Sequence, residues 1–186
     1  MNFYRLALTI LTLLLSLPGT AVWADAPFEL PPQEELSRIR SATLDTTRGR
    51  IYLALFPEDA PWHVANFKYL ADKGFYRGKT FHLHRPEQII QGGSPSSDPN
   101  DGPGYKLLPE FNAHKHIAGS LGMARLPDAF NPGRRSNGSQ FHILLSENGN
   151  MDGAFTIFGK VIRGIEVARA LRKGDRIENL TVYVKP

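Results

Sequence analysis

From Ile39 onward the chain runs in short segments of strand rhythm separated by loops rich in glycine, proline and asparagine, and this rhythm limits its possible folds. Ala42, Leu44 and Thr46 alternate, Arg48-Gly49 turns the chain, and Ile51, Leu53 and Leu55 then occupy one face. Further strand-like runs lie at 80–84, 89–91, 120–124, 140–144 and 155–161, and a last one at 177–184 alternates Leu180, Val182 and Val184. Two segments carry helical spacing. Pro61 suits a first helical turn, where its missing N–H would be unpaired anyway. Val64, Phe67, Leu70 and Ala71 then form an apolar stripe that Gly74 stops. A second helix is expected from Ile165 to Lys173, with Val167, Ala168 and Leu171 inward and Gly174 closing it. Many short strands with two separated helices predict a mainly β protein built as a closed antiparallel barrel, because closure removes exposed edges. Leu44, Ile51, Leu53, Phe67, Leu70, Leu121, Ile143 and Phe158 are the expected core.

The first residues read differently. Arg5 is followed by an apolar run, Leu6 to Leu17, which Pro18-Gly19 breaks, and Val22-Trp23-Ala24 offers small or aliphatic residues at the positions a signal peptidase reads. The run falls short of the ~20 apolar residues that cross a bilayer, so a secretory signal ending at Ala24 is expected, with an uncleaved anchor as the rival. Cleavage would leave 162 of 186 residues, enough for one domain with a full core. Residues 25–37, with Pro27, Pro31 and Pro32, are expected as an extended leader, and the folded domain as 38–186. No cysteine is present, so no disulfide supports an exported chain and no thiol chemistry is available. A formal charge of +4, with no basic run or interleaved aromatic stripe, gives no footprint for nucleic acid. After signal cleavage a soluble monomer is expected, in the periplasm or otherwise exported.

Several motifs follow one another in an order that resembles the cyclophilin family. They are Ala60-Pro61 with Val64-Ala65-Asn66-Phe67, Gly74-Phe75-Tyr76, Phe81-His82, Gln91-Gly92-Gly93, Gly119 to Arg125, Asn137-Gly138-Ser139-Gln140-Phe141, Met151-Asp152-Gly153 and Phe158-Gly159-Lys160-Val161. Gly92-Gly93 permits a sharp turn after a strand, and Gly138 is expected to adopt positive φ just before Gln140. The resemblance implies a closed eight-stranded antiparallel barrel capped by two helices, and a peptidyl-prolyl cis-trans isomerase that binds proline-containing polypeptides in a groove on its outer face and assists the folding of exported proteins. No metal or cofactor is needed. The barrier, ~18–20 kcal/mol, comes from amide resonance. A hydrogen bond donated to the proline nitrogen weakens that conjugation, and a guanidinium suits the task as a permanently charged fork of donors.

The resemblance also exposes a departure. The family pattern places its arginine where this chain has Leu83, which cannot donate. Arg85 lies two residues on and, in a regular strand, projects from the same face. Two readings of Arg85 stand: a displaced donor, or a solvent-facing side chain loosely paired with Glu87. Arg85 and Gln91 are the catalytic candidates. By position, Gln91 and Gln140 match glutamines that bond substrate backbone. Met123, Ala124 and Arg125 match the strand that pairs with the peptide before proline, and Ile89 and Met151 match apolar pocket positions. Gln88 and His142 replace pocket phenylalanines, Asn150 replaces a tryptophan, and Phe155 replaces a histidine. With Leu83, these residues complete the expected substrate-binding set. The rebuilt wall fits altered sequence preference or an inactive groove that only holds proline segments. The loop from Leu126 to Asn137 brings Arg134-Arg135 near the groove, either to meet acidic residues or as a solvated loop. His82-x-His84, His114-x-His116 and His142 form a histidine set without the carboxylates or cysteines that complete a metal site. Ser136 and Ser139 near His142 lack a nucleophile elbow.

Overall fold

The computed structural model describes residues 26–98 and 100–185; the expected signal segment lies outside them. In chain order the elements are α1 (Gln33–Leu36), β1 (Ile39–Thr46), β2 (Gly49–Leu55), α2 (Pro61–Asp72), β3 (Phe81–Arg85), β4 (Ile89–Gly92), β5 (Lys106–Leu107), β6 (Ser120–Met123), β7 (Ser136–Asn137), β8 (Phe141–Leu144), β9 (Ile157–Arg163), α3 (Ile165–Ala170) and β10 (Ile177–Val184). Eight strands build one antiparallel sheet in the order β10-β1-β2-β9-β6-β8-β4-β3, and β5 and β7 pair separately. Leu44 stands opposite both Ile51 and Leu180, so three strands direct their leucine and isoleucine side chains into the same interior.

The sheet curls without closing into the expected barrel. Its edge strands, β3 and β10, share no ladder; Thr80 and Arg176 form an isolated bridge between them. Main-chain bonds of the flanking segments cross the same seam, from Gly78 N to Ile177 O (2.8 Å) and from Phe81 N to Asp175 O (2.8 Å). Strand twist curls an eight-stranded sheet strongly, and loop backbone, not an eighth set of ladder bonds, bridges what remains.

Helix α2 packs against the core and supplies the ring around which other aromatics gather. Phe67 meets Phe158 at 5.1 Å, Phe141 at 5.6 Å and Tyr76 at 5.4 Å, all tilted or edge-on. Every residue of the expected core is buried, Phe67 and Phe158 completely. Pro61 opens α2 as anticipated, yet Ala60 gives it no side-chain cap. The Glu110 carboxylate takes that role. It accepts the Trp62 and His63 N–H groups, both at 3.0 Å, and contacts His63 Nδ1 at 2.6 Å. An anion there satisfies free donors and opposes the positive end of the helix. Gly74, at φ 65°, ends α2 as expected.

Two elements differ from expectation. Helix α3 ends at Ala170 and not at Lys173, because Leu171 turns extended and buries its side chain. The segment expected as an extended leader forms the single turn α1, and Leu36 is fully buried. Upstream of it, Phe28 stacks on Tyr69 at 5.1 Å. This segment therefore covers one side of α2.

Replacing Phe158 by alanine should cost ~3–5 kcal/mol, the usual range for a buried aromatic truncation. Chemical denaturation of the purified domain measures it, and a loss below about 1 kcal/mol would contradict the packing of Phe158 against Phe67.

Candidate active site

The strands that fill the core with one set of side chains present the next set to the opposite face. On β4, Ile90 is buried in the core, while Ile89 and Gln91 are half-exposed beside it. On β8, Phe141 and Ile143 enter the core, and His142 and Leu144 take the other side. On β3, Leu83 stands opposite Gln91 and Arg85 opposite Ile89. A register shift between Phe81 and Leu83 leaves His82 as an extra residue, and its ring reaches Gln91 as well.

These side chains floor a cleft of about 450 Å³. Ten expected residues line it: Leu83, Arg85, Gln88, Ile89 and Gln91 from β3, β4 and their turn; Ala124 and Arg125 after β6; His142 on β8; and Met151 and Phe155 beyond. Gln140 lines an adjoining basin of about 310 Å³ that shares Leu83, Arg85, Gln91, Ala124 and Arg125 with the cleft. Two expectations fail. Met123, the last residue of β6, is completely buried in the core, and only the residues that follow it, Ala124 and Arg125, reach the cleft. Asn150 sits exposed on a single 3-10 turn, Gly149–Met151, and does not line the cleft. Sequence reasoning missed Leu144, Ser146, Glu147 and Asn148 on the cleft wall. Leu144 was within reach of the pattern, two residues after His142 on the same strand.

A chain of hydrogen bonds fixes the two glutamines. Gln91 Nε2 donates to Gln140 Oε1 (3.0 Å), and Gln140 Nε2 donates to the Asp101 carbonyl (2.5 Å). The approach to Gln140 is held from two sides. Asn137 Oδ1 accepts the Ser139 and Gln140 N–H groups at 2.9 and 3.0 Å. Asn66 of α2 donates to the Gly138 carbonyl at 2.6 Å and accepts from the Tyr105 hydroxyl at 2.6 Å. Gly138 does not take the expected positive φ. It is needed for close approach, since a Cβ would lie 2.6 Å from Pro103 and 2.7 Å from the Tyr105 carbonyl.

Beside them, Ala124 has committed its main chain. Its N–H donates to the Gln140 carbonyl (2.8 Å) and its carbonyl accepts from Asn137 N–H (2.7 Å). It offers the cleft a methyl group, while the main-chain groups of the next residue, Arg125, bond to none of the described residues. The Arg125 side chain is buried and fully employed in building the wall. Its guanidinium lies 4.6 Å over the Phe155 ring, and its Nε and Nη1 donate to the Ala154 carbonyl and to Asp128. The neighbouring wall is pinned by Asp152, which accepts from the His116 main chain and ring, both at 2.9 Å. These bonds, the main-chain one first, hold the Asp152 carboxyl down to about 2 and fix the turn that carries Met151.

The histidines are dispersed. His114 pairs with Asp59, His116 with Asp152 and His82 with Gln91, and among the described residues no group of three donors could hold a metal ion. Ser139 Oγ and His142 Nε2 are both buried without partners among the described residues, so they form no nucleophile–base pair there. His142 fits because Gly122 leaves room: a Cβ there would lie 2.4 Å from the ring. Burial, then the nearby His116, pushes the His142 imidazole from its ordinary 6.5 down to about 3. His142 is therefore neutral at ordinary pH, which leaves Arg85 as the cation of the cleft without an ion pair among the described residues.

Comparison with known proteins gives the same reading. Residues 41–185 match the family described as cyclophilin type peptidyl-prolyl cis-trans isomerase/CLD. The chain belongs to the cyclophilin family. It is 42% identical to a peptidyl-prolyl cis-trans isomerase of Synechococcus elongatus, over 76% of this chain and 94% of that one. It is also 42% identical to peptidyl-prolyl cis-trans isomerase B of Bacillus subtilis, over 72% of this chain and 91% of the other. Among solved structures, a cyclophilin of Cryptosporidium parvum superposes with a TM-score of 0.71 at 26% identity, covering 79% of this chain and 99% of its own. The same protein in the presence of the dipeptide Ala-Pro gives 0.69 at 27% identity, covering 78% and 100%. Its enzyme class is thus peptidyl-prolyl cis-trans isomerase.

His142 makes the fold acid-sensitive in a stated direction. An unfolded imidazole titrates near 6.5 and the native one near 3, so between these values the unfolded state binds the extra proton. Stability is full above the unfolded value and falls as pH drops below it, by about 2 kcal/mol between pH 7 and pH 5 for this one group. His82, whose pKa is lowered chiefly by burial, acts in the same direction. Urea unfolding at the two pH values should show a smaller loss for His142→Phe than for wild type, and equal losses would exclude His142 as the source.

Proposed function

We propose that this chain is an exported prolyl isomerase in which a displaced guanidinium replaces the missing one. The observation that carries the reading is the β3–β4 register. Leu83 opposite Gln91 and Arg85 opposite Ile89 put both residues on the groove side, and both line the cleft and its neighbouring basin. At ~3.3 Å per residue the origin of Arg85 lies roughly 6–7 Å from that of Leu83. An extended arginine spans this distance and directs its N–H fork back over the cleft. Glu87, the rival partner, makes no ion pair with Arg85 among the described residues.

In this mechanism the proline ring of a polypeptide occupies the apolar part of the cleft against Ile89, Met151 and Phe155. The strand before proline pairs with the main chain of Arg125, and Gln91, held by Gln140, bonds the substrate carbonyl. Arg85 donates to the proline nitrogen as the amide twists, so the bond is stronger in the transition state than in the planar ground state. A solved relative examined with Ala-Pro supports the substrate class. The clients proposed are exported proteins, on the strength of Arg5 and the apolar run that follows. A second reading has its own support. Leu83 removes the usual donor, and a groove that binds proline segments without turning them would act as a holding chaperone.

Exchange spectroscopy on proline peptides separates the readings. Arg85→Ala should lower kcat/KM by about 10²-fold, the usual loss of a well-placed donor, while Leu83→Arg should raise it above wild type. Equal rates for wild type and Arg85→Ala would sink the displaced-arginine mechanism. Peptide binding with no rate above the uncatalysed one would establish the chaperone reading.

A further inference from the structure

The basin beside the cleft has a composition of its own. Arg85, Lys106, Arg125 and Arg135 line it together with Asn100 and Asn137, and no carboxylate lines it. Arg125 is taken by Asp128, which also binds Arg134 through two contacts. Lys106 and Arg135, by contrast, make no side-chain hydrogen bond or ion pair with the described residues. Asp98 accepts from Asn100 and Asp101 from the main chain of Gly102, and neither pairs with Lys106 or Arg135.

Both cations are held in place from their backbones. Buried Asn131 bonds Arg135 twice, donating to its carbonyl (2.8 Å) and accepting from its N–H (3.1 Å). The β5–β7 pairing sets Lys106 opposite Asn137, whose side-chain amide donates to the Asp101 carbonyl at 2.9 Å. Thus two fixed anchors carry two unneutralised charges above a concave surface. The far end of the groove has the opposite sign, since Glu147 lines the cleft wall beyond His142.

We propose that this basin selects clients carrying an aspartate or glutamate side chain one to three residues before the proline. The proposal rests on the groove reading above, in which Arg125 pairs with the strand that precedes proline. Since Arg125 lines both basins, a peptide whose proline fills the cleft passes its preceding residues toward Lys106 and Arg135. A carboxylate arriving there meets two cations that no internal acid satisfies, and a lysine meets repulsion.

Three peptides with glutamate, glutamine or lysine two residues before the proline, otherwise identical, test this by exchange spectroscopy. At low salt the glutamate peptide should exceed the lysine peptide in kcat/KM by about tenfold, mostly through KM, since two exposed ion pairs contribute modestly each. The ratio should shrink toward one in 0.5 M salt, because exposed charges are screened. The double variant Lys106→Gln, Arg135→Gln should bring the two rates together. Moving the glutamate to the second residue after proline should remove its advantage. Equal rates for the three peptides on wild type, or a preference that persists in the double variant or after the move, would overturn the proposal. If no peptide is turned over, the isomerase reading fails by itself, and dissociation constants for the same peptides decide the selectivity on the same ranking.

Discussion

The packing of Phe67 is the contact on which the remaining architecture depends. One ring from α2 touches Tyr76 from the segment before β3, Phe141 from β8 and Phe158 from β9. It therefore joins parts of the sheet that do not adjoin in sequence, and it sets how tightly the sheet curls. Phe141 is also the immediate neighbour of His142. Because strand side chains alternate, the ring that seats the helix and the ring that floors the cleft are successive residues of one strand. A shift of β8 against α2 would carry the groove with it.

The polar part of the groove hangs from the same helix. Asn66, one residue before Phe67, reaches the Gly138 carbonyl, and the loop it holds delivers Gln140 to Gln91. The two glutamines are thus set by a relay that runs from a helix in the core through Asn66, Asn137 and the Asp101 carbonyl. Each amide in the relay spends its donors on fixed carbonyls, so its orientation is determined before any peptide arrives. The opposite wall works differently. Arg125 over Phe155 and Asp152 under Met151 rely on charge, and both partners lie near solvent. One side of the groove is a neutral lattice of amides and the other an electrostatic clamp.

Much of this was legible in residue pattern, and the exceptions share a cause. The long strands and α2 were readable because their alternation or stripe extends over enough residues to be seen. The pair β5–β7 was not, since two-residue strands have no period. Closure of the sheet was misjudged because it depends on summed twist, which no local pattern records. The turn α1 escaped notice because its segment is held by distant partners: Phe28 is partly buried against Tyr69, more than thirty residues away in sequence, and Leu36 joins the core. At the groove, Met123 and Ala124 were read as one motif, whereas Met123 stays in the core and Ala124 reaches the cleft. Lys106 went unread because nothing in a loop sequence reveals which basin its side chain borders.

The open seam of the sheet has a consequence for motion. Strand β3 is supported on one side by β4 and on the other by a bridge and scattered loop bonds at 78–81 and 174–177. An edge held by so few bonds opens at lower free energy than the interior strands, so amide exchange should be fastest there within the sheet. Leu83 and Arg85 ride on that edge. The amide lattice of Gln91 and Gln140 is fixed, while the strand bearing the charged donor can breathe against it. The groove therefore combines a rigid ruler with a compliant arm, and the position of the Arg85 guanidinium over the cleft varies with the motion of that arm.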